Sequence, residues 1–96
     1  MQLLPEKFKK QGFDYEQIER NALTAIYSQS LDGQVLAYEV IRVTVAAESE
    51  MFGKMVPERE VMPGKEQWGI RGWTFWDLEK ARLRARELEE RMVDDL

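Results

Sequence analysis

The chain contains no cysteine and no histidine. These two absences exclude disulfides, thiolate nucleophiles, zinc sites built on Cys or His, and imidazole general bases. Ser28, Ser30 and Ser49 therefore lack an activating histidine, and no Ser–Lys spacing replaces it. Neither G-x-x-x-x-G-K-[ST] nor G-x-G-x-x-G occurs, and Gly69-Ile70-Arg71-Gly72 is not a phosphate cradle. Apolar runs are all too short for a membrane span, and the opening stretch Met1 to Lys10 lacks the apolar centre of a secretory signal. The expectation is a cytoplasmic protein with no membrane partner, which the lack of cysteine fits.

What remains is the composition of an ordinary small globule: 96 residues, 44% hydrophobic and 33% charged. That length supports one core, so residues 1–96 are read as a single domain. Lys and Arg number 14 against 18 Asp and Glu, a net charge of −4 with no polyanionic or polycationic tail. An acidic balance argues against nucleic acid as the main partner. Glu48, Glu50, Glu58 and Glu60 offer paired carboxylates, but dispersed charges of this kind ordinarily face solvent, and no calcium-loop spacing is present. The chain is expected not to be an enzyme, with no cofactor and no metal site.

Along the chain, Pro5 suits a first helical position and Gly12 a residue past a helix end, so residues 1–12 are read as a short N-terminal helix or arm. Residues 13–47 read as an antiparallel meander of three strands. Leu23, Thr24, Ile26 and Tyr27 favour β structure, and Asp32-Gly33 marks a hairpin before the valine-rich run from Val35. Leu36, Tyr38 and Val40 share one face while Ile41, Val43 and Val45 lie on the other, which predicts cover on both faces or a bulge near 39–42. Cover on both faces is the preferred reading. Gly53, Pro57, Pro63-Gly64, Gly69 and Gly72 break residues 48–73 into an irregular segment, whose Met51, Phe52, Met55, Val56, Val61, Met62, Trp68 and Ile70 predict packing. Residues 74–93 predict a C-terminal helix. Thr74 and Asp77 resemble a capping box, and Phe75, Leu78, Ala81, Ala85, Leu88 and Met92 form one stripe. The fold class is therefore α+β, with the helix packed on the meander.

Trp68, Trp73 and Trp76 fall within nine residues of one another. They either close the core where the segment enters the helix or anchor a partner, since Trp is enriched at interface hot spots. Trp76 and Leu83 lie opposite the core stripe and make the better case for a partner, with Trp68, Trp73 and Arg71 as neighbours. Arg82, Arg84 and Arg86 offer a basic face for nucleic acid, yet the same helix carries Glu79, Glu87, Glu89 and Glu90.

The run Phe13-Asp14-Tyr15-Glu16-Gln17-Ile18-Glu19-Arg20, then Ala25-Ile26-Tyr27-Ser28-Gln29 and Tyr38-Glu39-Val40, is followed by Phe52-Gly53-Lys54, Pro57, Glu60, Pro63 and Glu66-Gln67-Trp68-Gly69. With Gly72-Trp73-Thr74 and Asp77-Leu78-Glu79-Lys80-Ala81, their order resembles a group of short uncharacterised proteins of bacteriophages and prophages. That group has no assigned activity, so no functional residue is carried over. The resemblance implies an accessory protein in a bacterial cytoplasm that binds a host or phage protein, for example a component of host defence.

Taken together, the residues predict a non-enzymatic protein-interaction module using Trp76, Leu83 and part of the Gly/Trp segment. A nucleic-acid-associated accessory protein or a small structural component of a larger assembly is the alternative. A homodimer is compatible with either.

Overall fold

Three two-residue loops fold the chain back on itself. Gln11-Gly12, Asp32-Gly33 and Phe52-Gly53 each have positive φ at both residues, the signature of a type I′ turn. The computed structural model describes residues 1–63 and 72–94. In chain order its elements are β1 (Lys7–Lys10), β2 (Phe13–Arg20), β3 (Thr24–Leu31), β4 (Gln34–Arg42), β5 (Thr44–Ala46), β6 (Ser49–Met51), β7 (Lys54–Val56), β8 (Arg59–Val61), β9 (Gly72–Phe75) and α1 (Leu78–Asp94). An antiparallel sheet in the order β1-β2-β3-β4-β9 forms the body, with α1 packed on it: an α+β fold.

The meander read from the sequence forms the three central strands of these five. The N-terminal helix is not formed. Phe8 lies opposite Tyr15 across β1 and β2, and their rings stack at 4.7 Å, so pairing with β2 supplies a burial that an isolated turn of helix lacks. Nor is the 48–73 segment irregular throughout: β6, β7 and β8 lie in it. The helix begins at Leu78 rather than Thr74, because Gly72–Phe75 adds to the open edge of β4, with Trp73 opposite Val40 and Phe75 opposite Tyr38. Asp77 caps it alone. Its carboxylate accepts the N–H of Glu79 at 2.9 Å and its carbonyl accepts the N–H of Ala81 at 3.1 Å. Asp77→Ala is expected to cost about 1 kcal/mol. A thermal melt would read that as a fall of roughly 4–8 °C for a domain of this size.

Both faces of the sheet are covered. On one, Ile26 and Val40 meet Ala81, Ala85 and Leu88 of the helix, with Trp73, Phe75 and Leu78 around them. The two alanines keep the helix close to the strands. The opposite face holds Leu4, Tyr15, Ala25, Tyr27 and Ile41, flanked by Phe8, Phe13, Val43 and Met62. Tyr27 is fully buried there, and its hydroxyl is satisfied: it donates to the carbonyl of Pro5 at 2.6 Å and accepts from Gln17 Nε2 at 3.1 Å. No register shift falls within residues 38–42 of β4, so the double-sided pattern of that strand reflects cover on each face.

Register shifts lie outside that stretch: one at Leu36 of β4, between the Gln29–Ala37 and Ser30–Val35 pairs, and one at Ile18 in β2. Before it Gln17 pairs with Tyr27; after it Glu19 pairs with Ile26 and Arg20 with Ala25. One extra residue thus turns Glu19 to the helix side and Arg20 to the opposite face. There Arg20 grips Glu60 of β8 through two hydrogen bonds, at 2.7 and 3.1 Å. Glu60 also accepts the N–H of Leu4 at 2.9 Å, and its own N–H donates to the carbonyl of Gln2 at 2.8 Å. A single carboxylate holds β2, β8 and the N-terminal segment together.

Candidate functional site

Of the residues singled out on the helix side, Trp76 and Leu83 are exposed, at 81% and 55%. Trp73 is half-buried. It belongs to the core beneath α1, and the guanidinium of Arg84 lies 4.6 Å from its ring centroid. Trp68 and Arg71 lie outside the described residues.

The helix arginines are largely engaged within the chain. Arg82 bonds Glu19 of β2 and Glu79 of its own helix, and Arg84 bonds Glu87 at 3.2 Å. Arg86 is exposed and lines a groove of about 370 Å³ between α1 and the β2–β3 end of the sheet. The polar groups of that groove satisfy each other: Asn21 Nδ2 and the Thr24 hydroxyl both donate to Glu89 Oε1. Two of the three cations proposed for nucleic acid therefore act as internal fasteners.

Sequence reasoning missed the most exposed apolar group. Residues 44–61 form an arm of two stacked strand pairs, β5 with β8 and β6 with β7. The inner pair is tied to the body through Glu60 and through the bridge between Gln2 and Arg59. Among the described residues the outer pair makes extensive contact only within itself. Consistent with a projecting arm, the radius of gyration is 14.3 Å, against about 12.5 Å for a compact chain of this length. At its tip Phe52 is 99% exposed, with Met51 at 46% and Met55 at 62%. Packing of these three, as expected from hydrophobicity, does not occur: a two-residue turn carries them away from both cores. Met51 lies opposite Lys54 and Met55 opposite Glu50, so the two methionines project from opposite faces of the hairpin. Each face of the tip thus carries one methionine beside one charge, Lys54 or Glu50.

Phe52 is also conformationally misplaced. Its φ is +52°. That left-handed region suits Gly, Asn and Asp and costs another residue roughly 1–2 kcal/mol. Gly53, at φ +75°, is the residue suited to its place. The one available signal was Gly53 in a two-residue turn, masked by Phe in the first turn position and by flanking runs, Ser49-Glu50-Met51 and Lys54-Met55-Val56, of little β propensity.

A second feature lies on the sheet face away from the helix. A cavity of about 280 Å³ is lined by Phe8, Lys10, Tyr15, Gln29, Glu39 and Thr74, among others. Glu39, in mid-β4, is only 9% exposed. Among the described residues no hydrogen bond or ion pair reaches its carboxylate; the charge of Lys10 acts on it from farther off. Burial pushes the Glu39 carboxyl above its ordinary range, and Lys10 only partly opposes this. Burial likewise raises the Tyr15 phenol, although Gln29 Nε2 donates to its oxygen at 2.8 Å.

A raised carboxyl favours folding when protonated, so its contribution is complete below the ordinary value of 4.5 and is lost as pH rises through the folded value. Glu39→Gln is therefore expected to melt above the parent at pH 7, about a neutral medium. The difference should vanish in acid as the parent's own carboxyl takes up its proton. A set of melts across that range checks it; a variant less stable at neutral pH would show that the charge is compensated.

Among the described residues no group of three or more acidic side chains could hold a metal ion, and no helix is long and apolar enough to cross a membrane. No protein-family model, curated protein or solved structure matches the chain.

Proposed function

We propose that this protein is a non-enzymatic interaction module whose hairpin arm inserts into an apolar socket on a partner protein. The observation that carries the reading is Phe52: a ring left 99% in water at a backbone position that disfavours it. Folding gains nothing from that side chain, whereas a desolvated aromatic anchor is a common centre of binding energy. Methionines on both faces of the tip favour a concave socket over a flat surface, because a flat partner would leave one of them in water. Glu48, Glu50 and Glu58 along the arm outnumber Lys54 and Arg59, which favours a basic rim around that socket. Trp76 and Leu83 provide a second exposed apolar site for the same role. The resemblance to phage and prophage proteins supplies a setting, in which the partner is a host or phage protein in a bacterial cytoplasm. Nucleic acid finds less support, since Arg82 and Arg84 are already paired.

The test is a photo-crosslinking amino acid placed at position 52 and, as a control, at the exposed Asp32 of the β3–β4 hairpin. A protein joined at 52 and not at 32 is the expected product. Identical products at both positions, or none at 52, would overturn the reading. Crosslinking to a second copy of this chain would replace the partner by a homodimer and likewise refute it.

A further inference from the structure

The cavity around Glu39 is independent of the arm, and its chemistry defines a ligand. Its lining presents oxygen acceptors. One is the Glu39 carboxylate; another is Gln29 Oε1, left open because the amide's nitrogen is spent on the Tyr15 hydroxyl. The wall is aromatic, with Phe8 and Tyr15 stacked at 4.7 Å and 6°. Lys10, an exposed residue, also lines it, farther from Glu39 than an ion pair allows.

Several occupants fail on this donor set. An anion would meet the Glu39 charge. A neutral apolar group would leave that buried carboxylate without a partner, at the full cost of its desolvation. A hard metal ion takes six or more oxygens, and one carboxylate with an amide oxygen is too few. A primary ammonium fits: it brings three N–H donors and a positive charge, and a ring face beside it adds attraction. About 280 Å³ is the volume of some nine waters, room for a molecule of amino-acid size.

We infer that this cavity binds a small molecule through a primary ammonium group, with Glu39 as its counter-ion and Gln29 as a second acceptor. Two sources share that chemistry: a simple alkylamine, and an amino acid whose carboxylate reaches Lys10. Charge-assisted hydrogen bonds of this kind are the strong ones, so losing the carboxylate should weaken binding at least about tenfold.

The experiment is a titration of the isotope-labelled full chain, followed by amide chemical shifts, with butylammonium, norleucine and butyrate as probes. Saturable shifts at Tyr15, Gln29, Glu39 and Thr74 are expected with the first or second probe and not with butyrate. Glu39→Gln should abolish or weaken them while keeping a dispersed spectrum, because this change removes a buried charge and leaves the fold intact. Lys10→Ala then separates the sources: weakened norleucine binding marks the amino acid, and strengthened butylammonium binding marks the simple amine. Absence of saturable shifts with both amines would overturn the inference. So would a Glu39→Gln protein that binds as tightly as the parent, or butyrate binding at the same amides.

Discussion

Arg20→Ala is expected to cost about 3 kcal/mol, the lower end for removing one partner of a buried ion pair. In a thermal melt that is a fall of roughly 12–24 °C. Glu60 is the reason. Its side chain is 8% exposed and accepts both Arg20 nitrogens and the Leu4 N–H, so without Arg20 a nearly buried charge keeps only one short donor. Arg20 itself is 23% exposed, which places the effect at the lower end rather than the upper.

The acid response gives an independent check. The Arg20 hydrogen bonds hold the Glu60 carboxyl below its ordinary value of 4.5. A lowered carboxyl stabilises the fold above that value, and the contribution is lost as pH falls through the folded value. The parent should therefore lose part of its stability below 4.5, and Arg20→Ala should lose less over the same range. Replacing both residues by methionine should cost less than Arg20→Ala alone, because no charge is then stranded. A double variant whose loss equals the sum of the two single-substitution losses would show that the pair is not coupled.

Phe52→Asn is expected to change two properties in opposite directions. Asn-Gly is the preferred pair for a type I′ turn, so the fold should gain about 1 kcal/mol, read as a rise of roughly 4–8 °C. Binding to the partner should fall by about thirtyfold or more, the effect of losing a hot spot worth about 2 kcal/mol. A variant that is more stable and still binds as the parent does would refute the role of Phe52. A variant that is less stable would show that the ring contributes to the fold after all. The competition between the two effects is what makes the residue informative.

How much of this was legible beforehand follows from the range of the interactions involved. The central strands and the helix stripe were readable, because Ile26, Val40, Ala81, Ala85 and Leu88 repeat at the spacing of the element that carries them. Asp32-Gly33 announced its hairpin because Asp tolerates the left-handed region. Partner-dependent strands were not readable. β1 exists because Phe8 finds Tyr15, and β9 because β4 has a free edge; neither condition is local. Local spacing suggested Thr74 as a cap, but strand pairing claimed it and left Asp77 to do the work.

At the candidate sites the same distinction holds. Leu83 was identifiable from helical phase and is exposed; Trp76 is exposed too, but it precedes α1, so the phase argument that singled it out does not apply to it. Phe52 was misjudged because hydrophobicity alone predicts burial, whereas a two-residue turn placed it beyond reach of either core. Glu39 was legible only in part: alternation sets it on the face of Ile41 and cover on both faces was expected, but the cavity it shares with Tyr15 and Gln29 was not. That cavity depends on Phe8 and Thr74, which strands β1 and β9 bring to the same face and which no local pattern announces.

The separation between the two storeys of the arm has a consequence for change over generations. Among the described residues, 49–56 make extensive contact only within their own hairpin, while Glu60 and Gln2 secure the storey beneath. Substitutions at the tip therefore alter recognition with little penalty to the scaffold. Provided the turn keeps its glycine, the hairpin can be exchanged whole, as a loop is grafted onto an antibody frame, and the rest of the molecule would still find its shape.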